Sequence, residues 1–160
     1  MYFQRADGDL ALQAEGGGRV HALLAEEDSW EVSDIDYYRH FVEKVDRLRG
    51  KLSGLLGELH DQRHKIAVYG ASAKSVTPLN YFGFGAGLID FVVDRSDVNQ
   101  GRYTPGMHLP IFDPERLLQE MPAYGLLHTW NFMEEIFSQQ SAYRSQDGKF
   151  IIPIPELKVI

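Results

Sequence analysis

Lys65-Ile66-Ala67-Val68-Tyr69-Gly70-Ala71-Ser72-Ala73-Lys74-Ser75-Val76-Thr77-Pro78 is the stretch from which the fold can be read. A short apolar, β-branched run meets a turn of small residues, and Thr77 as N-cap with Pro78 at the first helical position predicts a helix start. The order is strand, tight turn, helix. Small side chains at Gly70, Ala71 and Ser72 let a ligand approach the backbone, and amides freed at a helix N-terminus favour a phosphate or carboxylate. Lys74 adds a mobile positive charge. The helix is short, over residues 78–82, because Gly83-Phe84-Gly85-Ala86-Gly87 breaks it.

A second apolar run, residues 88–93, ends at Asp94, 24 positions after Gly70. Two strands joined by a helical crossover pair in parallel, and ligands bind beyond their carboxyl ends, where Gly70 and Asp94 both fall. An acid at this distance is also where a dinucleotide fold holds a ribose hydroxyl. Ser72 and Ser75, however, stand where that fingerprint has its second and third glycines. An ordinary strand-to-helix turn, with Asp94 capping a strand end, fits the spacing equally well.

Residues 94–111 form a polar loop leading to a short edge strand, the kind of loop that binds ligands at the functional edge of a sheet. Arg95 and Arg102 either fork onto phosphate oxygens or pair with Asp94 and Asp97 to hold the loop. His108, beside an apolar run, reads as a packed or loop-fixing histidine. Asp113-Pro114 opens an amphipathic helix to about residue 121, and residues 125–129 form a third core strand. Trp130 then offers a surface for a base or sugar, and Asn131 either caps the helix over 132–140 or bonds a ligand. The last strand spans 149–152, with Pro153 and Pro155 marking a sheet-edge exit. Strands alternating with helices give an α/β fold: a Rossmann-like, doubly wound, mainly parallel sheet over residues 65–160.

Upstream of the sheet, Val32-Ser33-Asp34-Ile35-Asp36-Tyr37 predicts a helix over 33–62, with Ser33 as cap and Asp36 returning the bond. Tyr38, Phe41, Val45, Leu48, Leu52, Leu55 and Leu59 form a heptad seam on this long amphipathic helix, so one face is buried. The seam docks on the sheet or an adjoining domain, or else self-associates. Residues 1–32 lack a sustained period and read as a linker or the remnant of an upstream domain, with a strand possible over 2–4.

At 160 residues the chain fits one domain with a real core, followed from residue 33 to the end. Its 44% hydrophobic and 24% charged residues are those of a globular protein. A net charge of −7 argues against nucleic acid or an acidic membrane as partner. There is no cysteine, which excludes disulfides, thiol catalysis and thiolate metal sites. With no apolar run near the ~20 residues that cross a bilayer and no signal-peptide pattern, the reading is a soluble, cytoplasmic protein.

Several ordered motifs carry a family likeness. Tyr69-Gly-Ala-Ser-Ala-Lys74, Asn80-Tyr81, Asp90-Phe-Val-Val-Asp-Arg-Ser96, Gln100-Gly-Arg-Tyr-Thr-Pro-Gly106, Leu109-Pro-Ile111, Trp130-Asn-Phe132 and Gly148-Lys-Phe-Ile-Ile-Pro-Ile-Pro-Glu156 together resemble the C-terminal domain of S-adenosylmethionine-dependent sugar C-methyltransferases. The resemblance implies a three-part protein: a zinc-binding domain, a methyl-donor domain, and this α/β domain. It implies that the base, the zinc and S-adenosylmethionine belong to the two upstream parts, so no catalytic, cofactor or metal residue is expected in this chain. The terminal domain then helps hold a nucleotide-diphosphate sugar, and alone would not methylate. One departure is Ser75-Val76, where the family usually has glycine and asparagine.

The expected substrate surface gathers Gly70, Ala71, Ser72, Lys74, Asp94, Arg95, Tyr103, Trp130 and Asn131 at one edge of the sheet. Two rival readings stay open: a structural or homodimerisation module built on the 38–59 seam, and a dinucleotide-binding domain using Gly70 and Asp94.

Overall fold

Ile66–Tyr69 forms β1, buried at all four positions, as a strand covered by helices on both faces must be. The structure, a computed structural model, describes residues 10–160, with side chains from residue 17 onward. The chain divides into two compact units, Met1–Asp46 and Arg47–Ile160.

The first unit holds α1 (Leu10–Ser29) and the opening of α2 (Ile35–Asp61). Residues 10–29, read from their weak periodicity as part of a linker or of the remnant of an upstream domain, form a helix. Alanine, leucine, glutamate and glutamine are strong helix formers, and they outweigh the Gly16-Gly17-Gly18 triplet. The strand expected at residues 2–4 lies outside the described residues. Asp34, not Ser33, caps α2: its Oδ1 accepts the Asp36 amide at 2.9 Å, the N-cap bond that satisfies an orphan donor.

In the second unit the strands lie in the order β3-β2-β1-β4-β5-β6. Here β2 is Phe91–Val93, β3 Ile111–Phe112, β4 Tyr124–Leu127, β5 Lys149–Ile152 and β6 Lys158–Val159. All neighbours pair in parallel except β5 and β6. This is the expected Rossmann-like α/β sheet with one added edge strand. Pro153 and Pro155 do not end the sheet; the chain bends after β5 and returns antiparallel, with Ile151 opposite Val159.

Alternation along the strands fills two cores. Ile66, Val68, Val92, Leu126 and Ile151 pack with Leu52, Leu56 and Leu59 of α2 and Leu79 of α3 (Ala73–Phe82). On the other face, Ala67, Tyr69, Phe91, Leu127 and Phe150 pack with Leu117, Ile136 and Tyr143. Those three come from α4 (Arg116–Glu120), α5 (Met133–Gln139) and α6 (Ser141–Ser145), the last not foreseen from sequence. Tyr143 donates its hydroxyl to the Pro122 carbonyl at 2.8 Å, and burial raises its pKa.

The heptad seam is buried only in part. Leu52 and Leu59 are buried with Leu56, which lies off the seam, whereas Tyr38 and Phe41 are 51% and 62% exposed. A helix of 3.6 residues per turn drifts from a 3.5-residue repeat, and the stripe that meets the sheet is Leu52, Leu55 and Leu59 of the seam widened by Leu56.

Three helix starts also differ from expectation. In α3, Ser72 stands at the N-cap and Pro78 is interior, because the Ser72 carbonyl already accepts the Ser75 and Val76 amides; Thr77 bonds back to the Ala73 carbonyl. In α4, Glu115 occupies the cap, while Asp113 accepts the Glu115 amide in the preceding turn. The helix expected from residue 132 starts as a 3-10 turn over Trp130–Phe132. Asn131 therefore lies inside that turn and does not cap it.

Candidate functional site

The strand order reverses between β1 and β4: β1, β2 and β3 run outward to one side, and β4 and β5 to the other. Helices connecting on opposite faces leave a crevice at the carboxyl ends of the two central strands. Gly70 sits there with φ of +103°, a conformation glycine adopts freely. A Cβ at Gly70 would lie 2.7 Å from Thr129 Cγ2 and 3.0 Å from Ser75 Oγ, so the turn also closes too tightly for any side chain.

Asp94 ties this turn to β2. One carboxylate oxygen accepts the Ala71 amide and the other accepts the Ser96 amide at 2.7 Å. The Gly70 amide donates to the Val93 carbonyl at 2.8 Å. Both Asp94 oxygens are thus engaged with backbone, the role of a strand-end cap, which weakens the ribose-holding alternative.

Two clefts flank the turn. The first, about 220 Å³, is lined by Tyr69, Gly70, Asp94, Arg95, Thr129 and Glu135, with Phe132 and Ile136 closing its apolar side. Arg95 pairs with Glu135 of α5 at 2.6 Å, and not with Asp94 or Asp97. The second, about 410 Å³, is lined by Ala71, Ala73, Thr77, Arg102, Tyr103 and Ile111. Its outer wall is the loop before β3, whose backbone is fixed. The Ile111 amide donates to the Arg102 carbonyl at 2.8 Å and the Gly101 amide to the Ile111 carbonyl at 2.9 Å. Asn80 of α3 clamps the same loop by donating to the Pro105 carbonyl at 3.0 Å. Gly106, at φ +80°, leaves the space Asn80 fills.

Lys74, Trp130 and Asn131 form a third group. The Lys74 ammonium lies 4.2 Å from the Trp130 ring centroid and donates to Asn131 Oδ1 at 2.9 Å, a cation–π contact backed by a hydrogen bond. The nine residues singled out in the sequence are therefore divided. Gly70, Asp94 and Arg95 line the first cleft, Ala71 and Tyr103 the second, and Lys74, Trp130 and Asn131 meet beside them. Ser72 opens α3 between these groups, its hydroxyl 3.4 Å from that of Ser75.

Sequence reasoning did not select Tyr69, Thr129, Phe132 or Glu135 for the site, nor Asn80 as its clamp, whereas Arg102, read from sequence as a residue that forks onto phosphate or pairs with an acid of its own loop, lines the second cleft. Phe132 and Glu135 are three residues apart on a helical segment, the one periodic signal that marks them as sharing a face. Nor did it mark the polar groups buried beneath the crevice. The Tyr69 hydroxyl, Thr129 Oγ1 and both His128 ring nitrogens have no hydrogen-bond partner among the described residues. Burial raises the Tyr69 pKa, with the Gln140 side chain opposing. Burial lowers that of His128 to about 4, the nearby Ser75 backbone opposing. No group of three or more metal-ligating side chains converges among the described residues. No helix among them is long and apolar enough to cross a membrane.

The family profile for the C-methyltransferase C-terminal domain matches residues 3–155. The chain is 34% identical to the C-methyltransferase NovU of Streptomyces niveus over 141 residues, which cover 88% of this chain and 34% of the relative. It thus spans about a third of that relative's length.

Proposed function

Because the chain belongs to the family of C-methyltransferase C-terminal domains, we propose that its crevice holds a nucleotide-diphosphate sugar for an S-adenosylmethionine-dependent methyl transfer. The transfer itself, with the zinc and the methyl donor, belongs to domains outside these residues. The observation that carries this reading is the strand reversal between β1 and β4, where two clefts open on either side of one glycine turn. The Glu135 carboxylate suits sugar hydroxyls, and the aromatic rings of Tyr103 and Trp130 suit a base or a pyranose face. Lys74 and Arg95 contribute charge-assisted hydrogen bonds once a ligand draws them from Asn131 and Glu135.

Titration calorimetry of the chain with a nucleotide-diphosphate sugar tests this. Binding is expected, weakened roughly tenfold in Lys74→Ala and in Arg95→Ala. No binding by the wild type, or unchanged affinity in both variants, contradicts the assigned surface.

A second role rests on a separate observation. Ile35, Tyr37, Tyr38, Phe41 and Val42 of α2 are each at least 41% exposed, an apolar face of the kind that meets another chain or domain. On this reading the first unit is an interaction module, tested by the association state of a Phe41 variant.

A further inference from the structure

Charge separates the two clefts. The first holds one cation, Arg95, against two carboxylates, Asp94 and Glu135, so its lining is net negative. The second holds Arg102 and no carboxylate, so its lining is net positive. Arg95 is committed to Glu135 at 2.6 Å, and Lys74 to Trp130 and Asn131. The Arg102 guanidinium forms no ion pair among the described residues. Its backbone is nonetheless held by Ile111, so the charge is presented from a fixed point on the loop.

Resting on the nucleotide-sugar reading, we infer that the ligand is sorted along the crevice, its diphosphate in the Arg102 cleft and its sugar in the Asp94–Glu135 cleft. Arg102 is the primary phosphate-binding residue of this chain. A dianion placed against Asp94 and Glu135 meets like charge in a partly desolvated site, whereas the same group beside Arg102 finds a planar fork of donors matched to phosphate oxygens. Hydroxyl groups have the opposite preference, since the exposed Glu135 carboxylate accepts their hydrogen bonds. Tyr103, 63% exposed beside Arg102, supplies a ring for the base next to the phosphates. Gly70 lines one cleft and Ala71 the other, so a single ligand crosses from one to the other over two adjacent residues.

The test compares thymidine diphosphate, a nucleotide-diphosphate sugar and inorganic pyrophosphate by calorimetry on wild type, Arg102→Ala, Arg102→Lys and Arg95→Ala. Arg102→Ala is expected to weaken thymidine diphosphate and pyrophosphate by roughly tenfold or more, with Arg102→Lys recovering part of the loss. Arg95→Ala is expected to leave thymidine diphosphate within roughly threefold of wild type while weakening the nucleotide sugar. Circular dichroism of each variant confirms that it folds, as the exposed position of Arg102 predicts. If Arg102→Ala binds the diphosphate like wild type while Arg95→Ala loses it, the sorting is wrong and the nucleotide-sugar reading stands. If wild type binds none of the three, both fall.

Discussion

At the scale of single residues, Gly70 and Asp94 were legible because their chemistry is local. Only a small residue fits a tight turn, and an acid at a strand end has amides within reach. The partner of Arg95 was not legible, since Glu135 lies 40 positions away and only the packing of α5 brings it near. His128 was not singled out either, because a lone histidine after an apolar run carries no distinguishing pattern. Its burial gives it a pH signature. The unfolded chain protonates this ring near its ordinary 6.5, the folded chain only near 4. The folded state therefore binds fewer protons between those values, and its stability is full above pH 6.5 and falls as the pH drops toward 4. The loss is on the order of 3 kcal/mol at ~1.4 kcal/mol per unit. Denaturant titrations from pH 7 to 4 should show His128→Leu losing less stability than wild type across that window. At neutral pH the substitution should cost little, because neither ring nitrogen has a partner to lose. Parallel pH curves for the two proteins would contradict the assignment.

Elements were legible in their type more than in their ends. The central strand and the last parallel strand follow from apolar runs bounded by turn residues. The start of α3 did not, because rules for local capping place Thr77 and Pro78 at the N-terminus, while Ser72 had already begun the helix five residues earlier. For α2, the sequence displays a seven-residue repeat over its whole length, but only its C-terminal part, Leu52, Leu55 and Leu59 together with Leu56, meets the sheet. Leu56→Ala should therefore cost about 2–5 kcal/mol, the range for a truncated leucine in a filled core. Phe41→Ala should change stability by no more than about 0.5 kcal/mol, as exposed positions do. Sedimentation separates the two readings of this helix. If the exposed face is an interaction module, wild type associates with rising concentration and Phe41→Ala remains monomeric. A wild type that is monomeric throughout, or a Phe41 variant as destabilised as the Leu56 one, removes that role.

Across the whole molecule, the sheet order places a crevice where charge, small residues and aromatic rings meet, and a net charge of −7 gives no hint of it. The global balance argues against general affinity for a polyanion, whereas the lining of the second cleft is net positive. That local inversion depends on which carboxylates face Arg95 and which leave Arg102 alone, and only the tertiary structure decides it. The chain spans about a third of its curated relative, and on the proposed nucleotide-sugar reading the crevice is one wall of a larger site. Amide chemical-shift mapping of the isotope-labelled chain during titration with a nucleotide-diphosphate sugar tests this account most directly. Shifts should concentrate at residues 70–74, 94–95, 102–103 and 129–135, with little change in α4 or β6. Shifts scattered over the opposite edge of the sheet, or none at saturating ligand, would contradict it.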